Sequence, residues 1–382
     1  MSQSAFVVLL VVVAALSFDF TNGFHDTANA MATSIATGAL PPRVAVGLSA
    51  VLNVVGAFIS IAVATTIAKG IVDSHAITVG TVFAGLVGAI VWNLVTWYLG
   101  LPSSSSHALI GGLVGASLVT AGTGAVEFGG ILSKVILPAV ISPVVAGLAA
   151  LLATSLAFRI TARSPREATA RGYKLGQIGS AAMVSLAHGT NDAQKTMGVI
   201  TLALISGGLL GDNAGVPVWV ILACAVVIGA GTYLGGWRVI RTLGKGLTEI
   251  TTPQGFAAES CSSAVILVSS HFGFPLSTTQ VCSGSIMGAG AARRLSDVRW
   301  SVAGRMVLAW LVTLPGSAAI AGFANLVARG VGGLPGTILI ALACAAFSAG
   351  IWLLSRRNAI NPDNVNAPIP EGARSPLAVQ EA

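Results

Sequence analysis

Charge is what this sequence lacks most. Asp, Glu, Lys and Arg make up 9% of its 382 residues, against about 25% in an ordinary soluble domain, which excludes a water-exposed globule. Aromatic side chains are few as well, at 6%. Short segments of strictly alternating hydrophobicity are missing, which argues against an outer-membrane barrel. The four cysteines, Cys224, Cys261, Cys282 and Cys344, lie in apolar runs without a CxxC pair or metal-ligand spacing, and read as small packing residues. Residues 1–4 carry no basic side chain, so no cleavable leader is expected. The formal net charge of +7 is scattered through short loops without interleaved aromatics, so no nucleic-acid partner is expected.

What the chain has in quantity is apolar residues, at 54%, and glycine, at 46 positions. Together they point to an all-α, polytopic membrane protein whose helices approach closely in lipid. Apolar runs fall near 5–38, 44–68, 77–99, 104–121, 135–158, 174–208, 217–237, 254–272, 275–291, 301–328 and 336–355, and predict eleven crossings. The first and sixth are long and interrupted. Lysine and arginine test the order of the loops, because they collect on the cytoplasmic side. One alternate set of loops holds sixteen, from Arg43 through the cluster Arg159 to Lys174 and on to Arg356 and Arg374; the other holds Lys69, Lys134 and Arg329. The N-terminus is therefore expected outside, and Lys195 alone falls within a span.

The chain repeats itself. His25-Asp26-Thr27-Ala28-Asn29-Ala30-Met31 matches Asn191-Asp192-Ala193-Gln194-Lys195-Thr196-Met197 at an offset of 166, and Pro102 to Ala116 matches Pro275 to Ala289 at an offset of 173. Pro143 and Pro315 also correspond. Two halves of odd crossing number form inverted-topology repeats with broken helices and a site near the midplane. The expected division is 1–158 for the first repeat, 159–174 for a basic cytoplasmic loop and 175–328 for the second, inverted repeat. An extra helix at 329–357 and a disordered tail at 358–382 complete it.

A carboxylate at the bilayer centre costs about 2.5–3.5 kcal/mol on insertion scales, so four acids need a reason: Asp19, Asp26, Asp192 and Glu259. Asp26 and Asp192 are repeat mates in polar runs that break apolar segments, where freed backbone groups become ligands. A central ion and substrate site follows. Asp19 and Glu259 have no mates, and either belong to a proton path or brace neighbouring helices. The second constellation is a pair of hydroxyl clusters, Ser103 to Ser106 after Pro102 and Ser277-Thr278-Thr279-Gln280 after Pro275. Proline followed by hydroxyls marks a helix start with outward amides and the positive end of the dipole. Two such starts suit a tetrahedral oxyanion. Capping alone needs only one or two hydroxyls at each start. An anion beside two aspartates requires a cation or proton to enter with it, which predicts symport. Lys195, His25 and His188 are candidates for the countercharge or a proton relay; His75, His107 and His271 read as structural.

At this point the residues resemble a known family. Asn22 to Ala30 and His188 to Thr196, with the two proline and hydroxyl segments, look like the duplicated signature of the inorganic phosphate transporter (Pit) family, over residues 1 to about 355. The resemblance implies uptake of inorganic phosphate across the cytoplasmic membrane by symport with protons or sodium, including transport as a neutral metal-phosphate complex. It implies cation ligands at Asp26, Asn29, Asn191 and Asp192, with Asp26, Asn29 and Asp192 as the metal set if sodium or a divalent metal travels. Phosphate contacts are implied at Ser104, Ser105, Ser106, Ser277, Thr278, Thr279 and Gln280. Dimers are implied too, and the resemblance admits paired re-entrant hairpins at the hydroxyl segments in place of full crossings. No cofactor is expected, and membrane lipid is the surrounding partner.

The sequence departs from the sodium-coupled pattern, an Asn-Asp-x-x-Asn core in both copies. The first copy begins with His25, and the second has Lys195 where Asn29 has its mate. An ammonium cannot lend a lone pair to sodium and can sit where sodium would, so proton coupling is expected, with Lys195, His25, His188 and Glu259 in the coupling set. The alternatives are a sodium-coupled phosphate symporter or a permease for sulfate or another tetrahedral oxyanion. An intramembrane hydrolase has no G-x-S-x-G or H-E-x-x-H motif to stand on, and a free pore needs no buried aspartates.

Overall fold

A computed structural model describes residues 3–163 and 165–367. The described chain is helical throughout, with two isolated β-bridges and no other strand pairing. The helices are α1 (Gln3–Ala36), α2 (Pro42–Gly56), α3 (Ala62–Lys69), α4 (Val79–Tyr98), α5 (Ser105–Ala121) and α6 (Phe128–Thr161), then α7 (Arg166–Ser206), α8 (Val218–Leu234), α9 (Trp237–Gly246), α10 (Thr252–His271), α11 (Thr278–Ala291), α12 (Trp300–Val331) and α13 (Gly333–Ser355). The same order occurs twice: a long helix, two shorter ones, a helix ending at a proline turn, a hydroxyl-capped helix, and a long helix with an internal proline, Pro143 or Pro315. Even the bridges correspond, Val72 with Val126 and Thr248 with Val298.

Hydropathy overcounts the crossings. At about 1.5 Å per residue α5 and α11 are roughly 25 and 21 Å long, short of the ~30 Å hydrocarbon core. Their starts also meet: Ser106 Oγ donates to the Leu276 carbonyl at 3.0 Å, whereas two full crossings would begin on opposite membrane faces. Each runs back beside the helix before it, with Thr81 against Thr120 in α4 and α5, and Gln254 donating to the Ala289 carbonyl between α10 and α11. These pairs are helical hairpins whose tips meet, so α5 and α11 are not both full crossings. Five of the described helices are long and apolar enough to cross a membrane, six if the bent pair α8 and α9 is one span.

The polar motifs do not break their helices. α1 runs unbroken through His25 to Asn29 and α7 through His188 to Lys195. The helical backbone hydrogen bonds continue through both motifs, and Thr27 Oγ1 and Thr190 Oγ1 donate back to the carbonyls of Gly23 and Leu186, so no backbone is freed. The breaks fall instead between α2 and α3, and at Gly235, where α8 turns by 60° into α9 at a positive φ of 73°. Glycine is needed at the crossings between halves. A Cβ on Gly23 would overlap the α8 backbone, and one on Gly189 the α2 backbone. Likewise α5 seats Gly111 and Gly115 on α12, and α11 seats Gly284 and Gly288 on α6, so each hairpin leans on the long helix of the other half.

The apolar core is in two parts. One cluster includes Val11, Val82, Leu113 and Ile200, the other Ile35, Val184, Ile240 and Ile286. The first motif lends Ala28, Ala30 and Met31 to the second cluster, and the second motif lends Ala193 and Met197 to the first. Two expectations at the margins need correction. The basic stretch 159–174 is mostly helix, because α6 extends to Thr161 and α7 starts at Arg166. The tail is not loose from 358: Val365 is buried in the second cluster, Asn366 Nδ2 donates to the Ile35 carbonyl and Arg238 Nη2 to the Asn358 carbonyl. Residues 368–382 lie outside the described part.

Candidate functional site

Asp26 and Asp192 are carried to one place by α1 and α7. Oxygen atoms of both acids and a ring nitrogen of His188 lie within 4.8 Å of one another, all buried. The hydroxyl cluster of α11 spans the two acids: Thr279 Oγ1 donates to Asp26 Oδ1 at 3.4 Å and Thr278 Oγ1 to Asp192 Oδ2 at 3.3 Å. Asn29, one turn from Asp26, reaches the same cluster, with Nδ2 donating to Thr278 Oγ1 at 3.2 Å and Thr279 Oγ1 at 3.0 Å. Its mate Lys195 reaches the other cluster. The ammonium donates to Asp192 Oδ1 at 2.5 Å, Ser106 Oγ at 2.5 Å and the Leu276 carbonyl at 2.8 Å, so all three of its protons are used. Each motif thus crosses to the hydroxyls of the opposite half.

An imidazole lies beside each acid. His25 Nδ1 is 2.5 Å from Asp26 Oδ1, and its Nε2 is 3.3 Å from Thr96 Oγ1. His188 Nδ1 is 3.0 Å from Asn53 Oδ1, which orients the ring; its Nε2 is 3.2 Å from Asp192 Oδ2 without making a hydrogen bond. Asn191 spends its amide protons elsewhere. It donates to Ser270 Oγ at 2.8 Å and to the Phe274 carbonyl at 3.2 Å, bracing the second hairpin as its mate His25 meets the first through Thr96.

The hydroxyl clusters divide their work. Ser104 and Ser277 are the N-caps, accepting from the backbone amides of His107 at 3.1 Å and Gln280 at 3.2 Å. That leaves the following residues free for other partners. Ser105 Oγ, Gln280 Oε1 and Asn29 Oδ1 are buried with no partner in the protein, an arrangement that calls for a bound group. Two helix starts with their amides and positive dipole ends converge here. Glu259 stands apart: it accepts from Thr33 Oγ1 at 2.5 Å, Ser34 Oγ at 2.7 Å, Ser180 Oγ at 2.6 Å and Gln177 Nε2 at 3.3 Å, tying α10 to α1 and α7.

Sequence reasoning missed Asn53, Thr96 and the Leu276 carbonyl. Asn53 had a faint signal as a lone amide in an apolar run; a backbone carbonyl has none. For a cation, the atoms on offer are the Asp26 and Asp192 oxygens, a His188 nitrogen and Asn29 Oδ1.

Comparison with known proteins agrees with this geometry. Residues 22–321 match the model of the phosphate transporter family. The chain is 60% identical, over 96% of its length and 88% of the other's, to a probable low-affinity inorganic phosphate transporter of Mycobacterium bovis. It is 44% identical, over 83% of its length and 95% of the other's, to one of Bacillus subtilis. Among solved structures, a chain titled the sodium-dependent phosphate transporter superposes with a TM-score of 0.76 at 24% identity, covering 84% of this chain and 98% of that one; at that identity the likeness is one of fold. By its family match and its relatives, this multi-pass membrane protein belongs to the phosphate transporter family, a family of transporters and not of enzymes.

Proposed function

We propose that the chain is a secondary active symporter of the cytoplasmic membrane that imports inorganic phosphate together with protons. The observation that carries the coupling is the Lys195 ammonium, locked between Asp192, Ser106 and the Leu276 carbonyl at the mate of Asn29. A fixed positive charge there offsets one aspartate permanently and takes up oxygens that a sodium ion would need. Phosphate is read at the hairpin tips, held by Ser105, Ser106, Thr278, Thr279 and Gln280 and by the free amides of α5 and α11, with Ser104 and Ser277 shaping the turns. His25 and His188 are in place to take protons beside Asp26 and Asp192. The two halves are read as inverted repeats that rock about this centre, the boundaries lying near 158 and 175. A divalent metal arriving as metal-phosphate would find Asp26, His188 and Asp192 within reach, and a homodimer rests on the family resemblance.

Hydrogen phosphate can donate a hydrogen bond and sulfate cannot, so a carboxylate acceptor at the tips selects phosphate. The test is labelled-phosphate uptake into proteoliposomes with excess sulfate. Uptake unchanged by sulfate is expected; equal competition would make the protein a general oxyanion permease. In the sodium-coupled alternative, the same vesicles take up phosphate only when sodium is present.

A further inference from the structure

Four carboxylates are buried in the described helices, and three are bound by partners within the protein. Asp26 has His25, Asp192 has Lys195, and Glu259 accepts from four donors. Asp19 is the exception. Its side chain is wholly buried, it accepts a single hydrogen bond, from Thr196 Oγ1 at 2.8 Å, and its Oδ2 has no partner. Asn22, one turn along the same face of α1, and Asn93 on α4 are equally buried, and neither the oxygen nor the nitrogen of either amide is partnered.

The register of α1 and α4 puts these five bare atoms within about one helical turn of one another along the axes. α1 and α4 run side by side in the same direction: Val8 and Val79 converge on Gly207 at one end, and His25 meets Thr96 at the other. Asn22 and Asn93 each precede that last contact by three residues, so they share a level. Asp19 lies one turn further from the centre, seven residues or about 10 Å from Asp26, on the side of the N-terminus. With the basic loops inside, that side is the outer one.

A buried polar atom without a partner is destabilising, and a bare carboxylate more so. Protonation removes the charge and turns Oδ2 into a donor for an amide oxygen or a water shared with Asn22 and Asn93. The groups facing Asp19 leave it free to act so. α7 presents Asp192 and Lys195, which already pair with each other, and α8 presents the Cys224 thiol. α5 brings His107 towards Lys195, and α4 carries no titratable side chain from Val79 to Thr96.

We propose that Asp19, with Asn22 and Asn93, is the outer proton-binding site of the transporter. The carboxylate takes one proton from the outer aqueous side, stays neutral while phosphate crosses, and returns to the carboxylate when the proton leaves on the inner side. This rests on proton coupling as read above.

Asp19→Asn imitates the protonated acid in shape and hydrogen bonding. The full-length protein is reconstituted and two fluxes are read in sodium-free buffer: accumulation of labelled phosphate under an inward proton gradient, and phosphate counterflow at equal pH on both sides. In the variant, loss of accumulation is expected with counterflow retained. Counterflow should fall as pH rises in the wild type, and the fall should be clearly shallower in the variant, a change that a purely structural residue would not produce. Gradient-driven accumulation by the variant would overturn the proposal, as would loss of both fluxes, which would place Asp19 in the fold or the phosphate path. A wild type that accumulates phosphate only with sodium would refute proton coupling itself, whatever the variant does, and the proposal with it.

Discussion

The two copies of the motif use the same helix positions for different electrostatics. In the first, Asp26 is held by the imidazole of His25, and Asn29 reaches the α11 hydroxyls with a neutral amide. In the second, Asp192 is held by the ammonium of Lys195, which also bonds Ser106, the residue matching Thr279. The duplicated frame thus places an acid paired with an imidazole beside an acid compensated by an ammonium.

The largest expected effect breaks the compensated side. Asp192→Asn leaves the Lys195 ammonium buried without its carboxylate, a loss of about 3–5 kcal/mol for a broken buried pair. Uptake should be abolished and the thermal midpoint in detergent lowered. Asp26→Asn should also abolish uptake but lower the midpoint less, since it alters a hydrogen bond to an imidazole and leaves no buried ammonium behind, a cost of roughly 1–3 kcal/mol. Equal midpoints would contradict the contrast.

Lys195→Asn makes the second copy resemble the first. Sodium-independent uptake should fall at least about tenfold, the equivalent of ~1.4 kcal/mol, and stimulation by sodium should appear. Undiminished uptake in sodium-free vesicles would remove Lys195 from the coupling. Smaller still is the difference between matched hydroxyls. Ser106→Ala removes a charge-assisted bond worth about 1.5–3 kcal/mol and Thr279→Ala bonds of about 0.5–1.5 kcal/mol, so the serine variant should show the larger fall in phosphate uptake. Smallest are the caps: Ser104→Ala and Ser277→Ala should each cost about 1 kcal/mol of stability while the folded fraction still transports, as read by uptake normalised to folded protein.

How much of this was legible in the sequence depends on what each signal measures. Repetition located Asp26, Asp192 and both hydroxyl turns, because a charged motif carried twice in apolar helix is costly at both places unless it serves a site. Hydropathy counts residues and not depth, so it read α5 and α11 as crossings, although Ser106 touches Leu276 at the centre. Polar residues suggested broken helices where α1 and α7 are continuous, since partners from other helices cannot be seen along one segment. The same blindness hid the four donors around Glu259, which come from two other helices, and the anchoring of Val365 in the core.

The most direct measurement is labelled-phosphate uptake by reconstituted protein in strictly sodium-free buffer under an inward proton gradient. Accumulation that collapses on adding a protonophore and does not change on adding sodium is the result expected here. Accumulation that requires sodium and ignores the protonophore would contradict the role given to Lys195 and the coupling built on it.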